Sequence, residues 1–161
     1  MTENPGEVQA QRLESVYEQT ALLLRQPDIA RRLRASGGEN EWSAMQVLGH
    51  MVEMIPYWLS HCRAIIAATG EPHALGRALD APERIAGVER GVTGTPDELL
   101  GFLQQEVQAA GRALREMSPA ERSKKGIHAS RGEVSVADII ETFIVAHAES
   151  HLAQMQAALR S

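Results

Sequence analysis

Two histidines one helical turn apart, His147 and His151, are the clearest chemical signal in the sequence. Residues at i and i+4 of an α-helix lie on one face, with Cβ atoms about 5–6 Å apart. Two imidazoles placed in this way can bind one metal ion at about 2.0–2.1 Å. They can also be core histidines whose ring nitrogens are satisfied by neighbouring polar groups. Both alternatives stay open, although the apolar seam of the predicted helix, on which the pair lies, strengthens the metal interpretation.

A catalytic type of metal site needs at least a third protein ligand, usually from another helix. The candidates are the four remaining histidines, His50, His61, His73 and His128. His61 lies three helical turns after His50 on the same predicted helix and cannot reach the same ion. His73 and His128 fall in predicted loops, where His128 can border a pocket. Helix geometry favours His50 without excluding a purely structural interior histidine.

Other residues are candidates to surround such a site. Glu53, three residues after the favoured third histidine, can orient an imidazole or act as a base, although a surface glutamate is the simpler interpretation. Gln154, one turn after His151, lines the pocket or is a polar group inside the protein. Met54 and Tyr57 share the apolar face of the same helix and line the pocket or belong to the core.

The elements that must position these residues are helices, because apolar residues recur at three- and four-residue spacing. The pattern predicts four long helices, at about 7–24, 44–69, 96–117 and 136–159. Serine or threonine caps mark helix starts at Ser43, Thr95, Ser118 and Ser135. Pro27 ends the first helix or begins a short extra turn, and Pro56 is expected to kink the second.

Three segments interrupt the helical pattern. We expect a loop at 36–40 and a long crossover at 70–94, with a possible helical turn at 82–85. Residues 124–134 are expected to form a second loop across one end of the protein, with His128 or Arg131 reaching substrate. Strand signals are scarce. The sequence therefore predicts one all-α domain over 1–161, a four-helix bundle with a long crossover connection.

Composition excludes several classes of function. The chain has 161 residues, with 16 Lys and Arg against 21 Asp and Glu, and a net charge of −5. This charge, without a basic stripe, argues against a nucleic-acid partner. The single cysteine, Cys62, excludes an intrachain disulfide and a cysteine-rich zinc site, and we expect it to be buried. No signal peptide or run of about 20 apolar residues is visible, so we expect a cytoplasmic protein without a membrane partner.

Two ordered motifs resemble those of the DinB-like (YfiT-type) metalloenzyme superfamily. The first is a Trp-Ser helix start followed by a histidine, and the second is a C-terminal HxxxHxxQ. Between them come a long crossover, a TPDELL-type helix start at 95–100 and a Gly-Glu turn at 132–133. The resemblance covers the chain from about residue 13. The residues that carry the two motifs are Trp42, Ser43, Val47, Leu48, Gly49 and His50, then His147, His151, Gln154 and Met155.

The resemblance implies a four-helix bundle with a divalent metal site, whose ligands by match of motif are His50, His147 and His151. Members of the superfamily bind nickel, zinc or similar ions, and many are homodimers. Characterised relatives transfer mycothiol, bacillithiol or glutathione, or isomerise maleylpyruvate with a thiol cofactor. Many members have Glu directly before the last histidine. This chain has Ser150 there, and Glu149 points about 160° away from the helix face that carries His147 and His151.

Three hypotheses follow for the function. The first is a metal-dependent enzyme that transfers a low-molecular-weight thiol to a small-molecule substrate, since an ion held by three neutral imidazoles attracts anions such as a thiolate. The second is a non-catalytic, stress-related bundle that binds a metal or ligand without turnover. The third is an interaction protein that uses an exposed helix face to dimerise, for which the residues themselves give no support.

Overall fold

Helices make up most of residues 4–36 and 41–160, which the computed structural model describes. In chain order they are α1 (Pro5–Leu24), α2 (Ala44–Ala67), α3 (Pro82–Thr93), α4 (Pro96–Glu116), α5 (Pro119–Ser123), α6 (Val136–Ile139) and α7 (Ala146–Arg160). A π-helical segment, Ile140–Val145, joins α6 to α7, so that the three form one continuous C-terminal helix. A short 3₁₀ turn, Ile29–Arg31, follows α1 and confirms the extra turn expected after Pro27.

The bundle consists of α1, α2, α4 and the C-terminal helix, which confirms the four predicted helices and the all-α fold class. α1 packs against α4 and α7, and α2 packs against the same two helices. Their facing sides carry fully buried aliphatic residues such as Leu13, Leu48, Leu103 and Ile144, and burial of such apolar surface is the main force that holds the helices together. No helix in the described residues is both long and apolar enough to cross a membrane.

The predicted caps set the helix starts. Ser43 Oγ accepts from the Gln46 N–H at 3.2 Å, and Gln46 Oε1 accepts from the Ser43 N–H at 2.8 Å. The same reciprocal capping box occurs at Ser118 and at Ser135. Each box satisfies backbone donors that the first turn of a helix leaves unpaired. α2 continues through Pro56, and the kink expected there stays a prediction.

The crossover contains more helix than the sequence suggested. A single turn was expected at 82–85, whereas α3 has 12 residues. Two glycines lower its intrinsic helix propensity and are needed for packing. A Cβ on Gly91 would overlap the Met45 carbonyl, and one on Gly87 would lie 2.6 Å from Glu53 Cβ. The glycines that hide α3 from the sequence pattern therefore let it pack closely against α2.

The expectation of a loop at 124–134 is wrong, because a β-hairpin occupies it. β2 (Lys125–His128) pairs antiparallel with β3 (Gly132–Ser135), and β1 (Ala74–Leu75), in the crossover, pairs parallel with β2. Strands of two to four residues are too short to show the alternation that identifies a strand. In the predicted loop at 36–40, Ser36 bridges to Ser43, and residues 37–40 lie outside the described residues.

The close packing of α3 predicts that Gly91→Ala destabilises the protein. The added methyl group would push α3 away from the Met45 carbonyl, and overpacking of this kind costs about 1–3 kcal/mol. The matched control is Gly101→Ala on α4, where no described atom lies within 4 Å of the new Cβ and helix propensity predicts a gain of about 0.5–1 kcal/mol. Urea unfolding measures both changes. Equal stability of Gly91→Ala and the wild type would contradict the packing described.

Candidate metal centre

Three histidines from two helices meet inside the bundle. His50 comes from α2, and His147 and His151 come from α7. One ring nitrogen of each lies within 4.8 Å of the other two. His50 is 1% exposed, whereas the other two are half-buried. The structure thus brings together the three residues that the family resemblance pointed to.

The hydrogen bonds of the α7 pair define their tautomers. His147 Nδ1 lies 3.1 Å from the Phe143 carbonyl oxygen, and His151 Nδ1 lies 2.9 Å from Gln154 Oε1. Both oxygens accept hydrogen bonds, so the tautomers that satisfy these contacts carry a proton on each Nδ1. In the neutral rings the two Nε2 atoms then carry lone pairs, and these atoms face each other at 2.8 Å. Two lone pairs at this distance repel unless a cation lies beside them.

His50 adds a further unsatisfied nitrogen. Its Nδ1 is buried and has no hydrogen-bond partner among the described residues, an arrangement that costs about 1–3 kcal/mol when nothing compensates it. Its ring meets the His151 ring edge-on, with centroids 4.7 Å apart. Burial, then the neighbouring His151 and His147, lower the pKa of His50 to about 2. His50 is therefore a neutral imidazole, the form that binds metals.

The donor set fits a divalent cation. Burial lowers the pKa of His147, and burial together with His147 lowers that of His151 to about 4. All three rings are thus neutral at pH 7, and none has to release a proton to bind a metal. An ion would satisfy the facing lone pairs of the α7 pair. This chemistry is a property of the side chains themselves, and it identifies His50, His147 and His151 as the residues that could hold a metal.

The turn before His147 departs from α-helical geometry. The Ala146 N–H donates to the Glu141 carbonyl, an i→i+5 bond, at the end of the π-helical segment. π-Helical turns are rare and are frequent at functional sites. The same segment contains Phe143, whose carbonyl orients the His147 ring. No sequence pattern marks this segment, and the apolar seam predicted for this helix assumed regular α-helical geometry.

Glu53 does not occupy either of its predicted roles. Both of its carboxylate oxygens accept from Arg77, at 2.6 and 2.7 Å. The side chains of Arg77 and Glu53 are 8% and 14% exposed, so Glu53 is not a surface glutamate. Its charge is balanced by a buried guanidinium rather than directed to an imidazole. Arg77 lies in the crossover, so its pairing with Glu53 could not be predicted from helix spacing.

The other predicted neighbours divide between the site and the core. Gln154 contacts the site directly through His151, although its side chain is exposed. Met54 is fully buried in the core. Tyr57 lies under the Arg77 guanidinium, 3.9 Å from its ring centroid.

His128 lies at the end of β2, and its ring stacks on Phe143 and Trp58 with centroids 5.3 and 6.4 Å apart. Arg131 lies over the Phe143 ring at 4.9 Å. The hairpin thus reaches the aromatic residues beside the three histidines. Contact of His128 or Arg131 with a substrate stays a prediction.

His61 and His73 form a separate pair. His61 Nδ1 lies 2.8 Å from His73 Nε2, and the His61 ring packs on Tyr57. This agrees with the exclusion of His61 from the first cluster by its distance along α2. It also gives His73 a partner that its predicted loop position did not suggest.

Two charged residues at the site, Glu41 and Arg84, were not among the predicted site residues. An open cavity of about 280 Å³ is lined by Glu41, Trp42, Arg84, His151 and Gln154. The Arg84 guanidinium lies 5.0 Å from the Trp42 ring centroid, and the Trp42 ring in turn lies 5.2 Å from that of His50. Arg84 comes from α3, which the sequence pattern did not reveal as a helix. The available sequence signal was the glycine and proline content of the crossover, and it favoured a loop.

Glu149 belongs to a different face of the C-terminal helix. Its carboxylate accepts from Arg12 on α1 at 2.6 Å, and Arg12 also bonds Glu141. The hydrogen bonds to Arg12 lower the pKa of Glu141. This placement agrees with the expectation that Glu149 points away from the helix face that carries His147 and His151.

The fold and these side chains define a class: a four-helix bundle with a candidate three-histidine metal centre. The chain belongs to the DinB superfamily, whose sequence profile matches residues 10–155. A solved structure with the same fold is that of YfiT from Bacillus subtilis, described as a probable metal-dependent hydrolase with an unusual four-helix bundle topology. The TM-score is 0.79 and the sequence identity 16%, over 99% of this chain and 89% of that one. No curated protein sequence matches the chain significantly.

The lowered pKa of His50 predicts a loss of stability in acid. In the unfolded chain His50 takes up a proton near pH 6.5, whereas the folded, metal-free protein keeps it neutral down to a pKa of about 2. The unfolded state therefore binds more protons below pH 6.5, and stability falls as pH falls. His50 alone should cost about 2 kcal/mol between pH 7.5 and 5.

Urea unfolding of the metal-free protein at the two pH values measures this change, and His50→Leu is the comparison. The variant should lose about 2 kcal/mol less than the wild type over the same interval. The comparison uses the difference between the two pH values, so a general change in stability cancels. An equal loss in both proteins would show that His50 is not held neutral.

Proposed function

We propose that the protein is a metal-dependent enzyme in which His50, His147 and His151 hold one divalent ion, nickel or zinc. We further propose that it transfers a low-molecular-weight thiol to a small-molecule substrate. The observation that carries the metal is the pair of Nε2 atoms at 2.8 Å, each with its Nδ1 proton donated to an oxygen. When bound, such an ion supplies a Lewis acid with open coordination positions for an anion.

The state of Cys62 supports an external thiol. It is the chain's single cysteine and is fully buried on α2. Burial raises the pKa of its thiol to about 12, so at neutral pH it is almost entirely protonated and a poor nucleophile. A reacting thiol must therefore come from a cosubstrate. The resemblance to thiol-transferring relatives supports the same assignment.

Two carboxylates near the site also favour a thiol over an activated water, which leaves Glu41 as the acid that a hydrolase would use. Glu53 and Glu149, the two acids that the sequence places beside the ligands, are both held by arginines. Neither is therefore free to act as a general base. A thiol has less need of such a base, because a neighbouring cation lowers its pKa directly.

A hydrolase is the second candidate, favoured by the structural similarity to YfiT, itself described as a probable metal-dependent hydrolase. In that case Glu41, the acid that lines the cavity beside His151, would be the base. Glu41→Gln distinguishes the two candidates. It should abolish hydrolysis and leave thiol transfer almost unchanged.

Partners and location complete the proposal. We propose a homodimer in the cytoplasm that acts on a small molecule, with no nucleic-acid or membrane partner. These assignments rest on the family resemblance and on composition.

Metal analysis tests the foundation of the proposal. The wild type should hold about one ion per chain after reloading. His147→Gln and His151→Gln should each weaken binding more than about 100-fold, because even contacts to the ligands change affinity by about 10–100-fold. His61→Gln is the matched control, a half-buried histidine of the separate pair, and should bind as the wild type does. Fewer than about 0.2 ions per chain in the wild type would overturn the metal site.

Turnover is tested on the reloaded protein with two assays in parallel. The first follows conjugation of mycothiol, bacillithiol or glutathione to a fluorogenic electrophile, and the second follows hydrolysis of activated esters and amides. We expect metal-dependent activity in the first assay that His151→Gln removes. Activity in the second assay alone would favour the hydrolase. Full metal loading without activity in either would favour the non-catalytic bundle.

A further inference from the structure

The cavity beside His151 contains a cation whose role the metal site does not explain. Arg84 projects from α3 and lines the cavity together with Trp42 and His151. Its flat guanidinium lies over the Trp42 ring, 5.0 Å from the centroid. Its Nη1 donates to the Leu79 carbonyl at 2.7 Å. The Arg84 guanidinium is thus held on one face by the Trp42 ring and at Nη1 by the Leu79 carbonyl.

The remaining edge of Arg84 is available to a ligand. In the described part of the chain, Nε and Nη2 have no hydrogen-bond partner, and no carboxylate lies within ion-pair distance. Arg77, the neighbouring guanidinium, by contrast donates from both Nη1 and Nη2 to Glu53. The Nε–Nη2 edge of an arginine matches the two oxygens of a carboxylate.

The charge around the site favours an anion. The three imidazoles are neutral, so they leave the charge of a bound divalent ion uncompensated. Arg84 adds a further positive charge at the same cavity, and a net positive charge remains even when Glu41 is counted.

We infer that Arg84 binds the carboxylate of the molecule on which the metal centre acts, so that the substrate or thiol cosubstrate is a carboxylic acid whose other end reaches the ion. This inference rests on the proposed function for the part played by the metal. The position of Arg84, and its unpaired edge in the described part of the chain, do not depend on a bound metal. The cavity, of about 280 Å³, suits a small carboxylic acid.

NMR titration of the Arg84 Nε–Hε signal tests the inference. The ligand is 3-mercaptopropionate, and its matched control is 3-mercapto-1-propanol, which has the same thiol and no carboxylate. On zinc-loaded protein the acid should bind about tenfold more tightly than the alcohol, since a charge-assisted pair contributes about this factor. Arg84→Gln should abolish the preference and Arg84→Lys should reduce it. Arg90→Gln, on the same helix and stacked on Phe102, should keep it.

A second titration separates this inference from the proposed function. Propionate added to metal-free protein should shift the Arg84 signal in a saturable way and leave the Arg90 signal unmoved. A failure of zinc to bind, with this shift present, would overturn the metal site and retain Arg84 as a carboxylate-binding residue. No saturable shift with propionate, or a preference for the acid that persists in Arg84→Gln, would overturn the inference.

Discussion

The constraint on which this site depends is the repulsion between two imidazole nitrogens. His147 and His151 each donate their Nδ1 proton to an oxygen, so their Nε2 lone pairs face each other at 2.8 Å. His50 belongs to the same cluster, and its buried Nδ1 has no partner among the described residues. Buried polar groups left unpaired cost free energy, and a cation shared by the three rings would offset that cost. The cluster is therefore a candidate metal site.

Each element of the fold contributes to holding this cluster in place. The capping box at Ser43 begins α2, which carries His50. The π-helical segment precedes His147, and its Phe143 carbonyl orients that ring. α3 packs on α2 through glycines, and this close contact brings Arg84 to the rim of the cavity. The bundle thus places three neutral imidazoles between the helices and a guanidinium at the rim of the cavity.

Much of this arrangement could be predicted, because its signals are local. The caps at Ser43 and Ser135 and the i, i+4 spacing of the histidine pair depend on neighbours within one or two turns. The four bundle helices followed from apolar residues at three- and four-residue spacing. α3 could not be predicted, because Gly87 and Gly91 lower its helix propensity. Both glycines are needed for its close contact with α2, which is distant in sequence. The pairing of Glu53 with Arg77, and of His61 with His73, depends on tertiary structure in the same way. The π-helical segment has no sequence signature.

The most direct measurement is a crystal structure of the metal-loaded protein, with anomalous differences recorded on both sides of the absorption edge of the metal. We expect one anomalous peak per chain, about 2.0–2.1 Å from one nitrogen each of His50, His147 and His151. The His147 and His151 ligand atoms should be Nε2, with both Nδ1 bonds retained. A fully loaded protein whose peak lies elsewhere, or touches only one of the three rings, would contradict the three-histidine site.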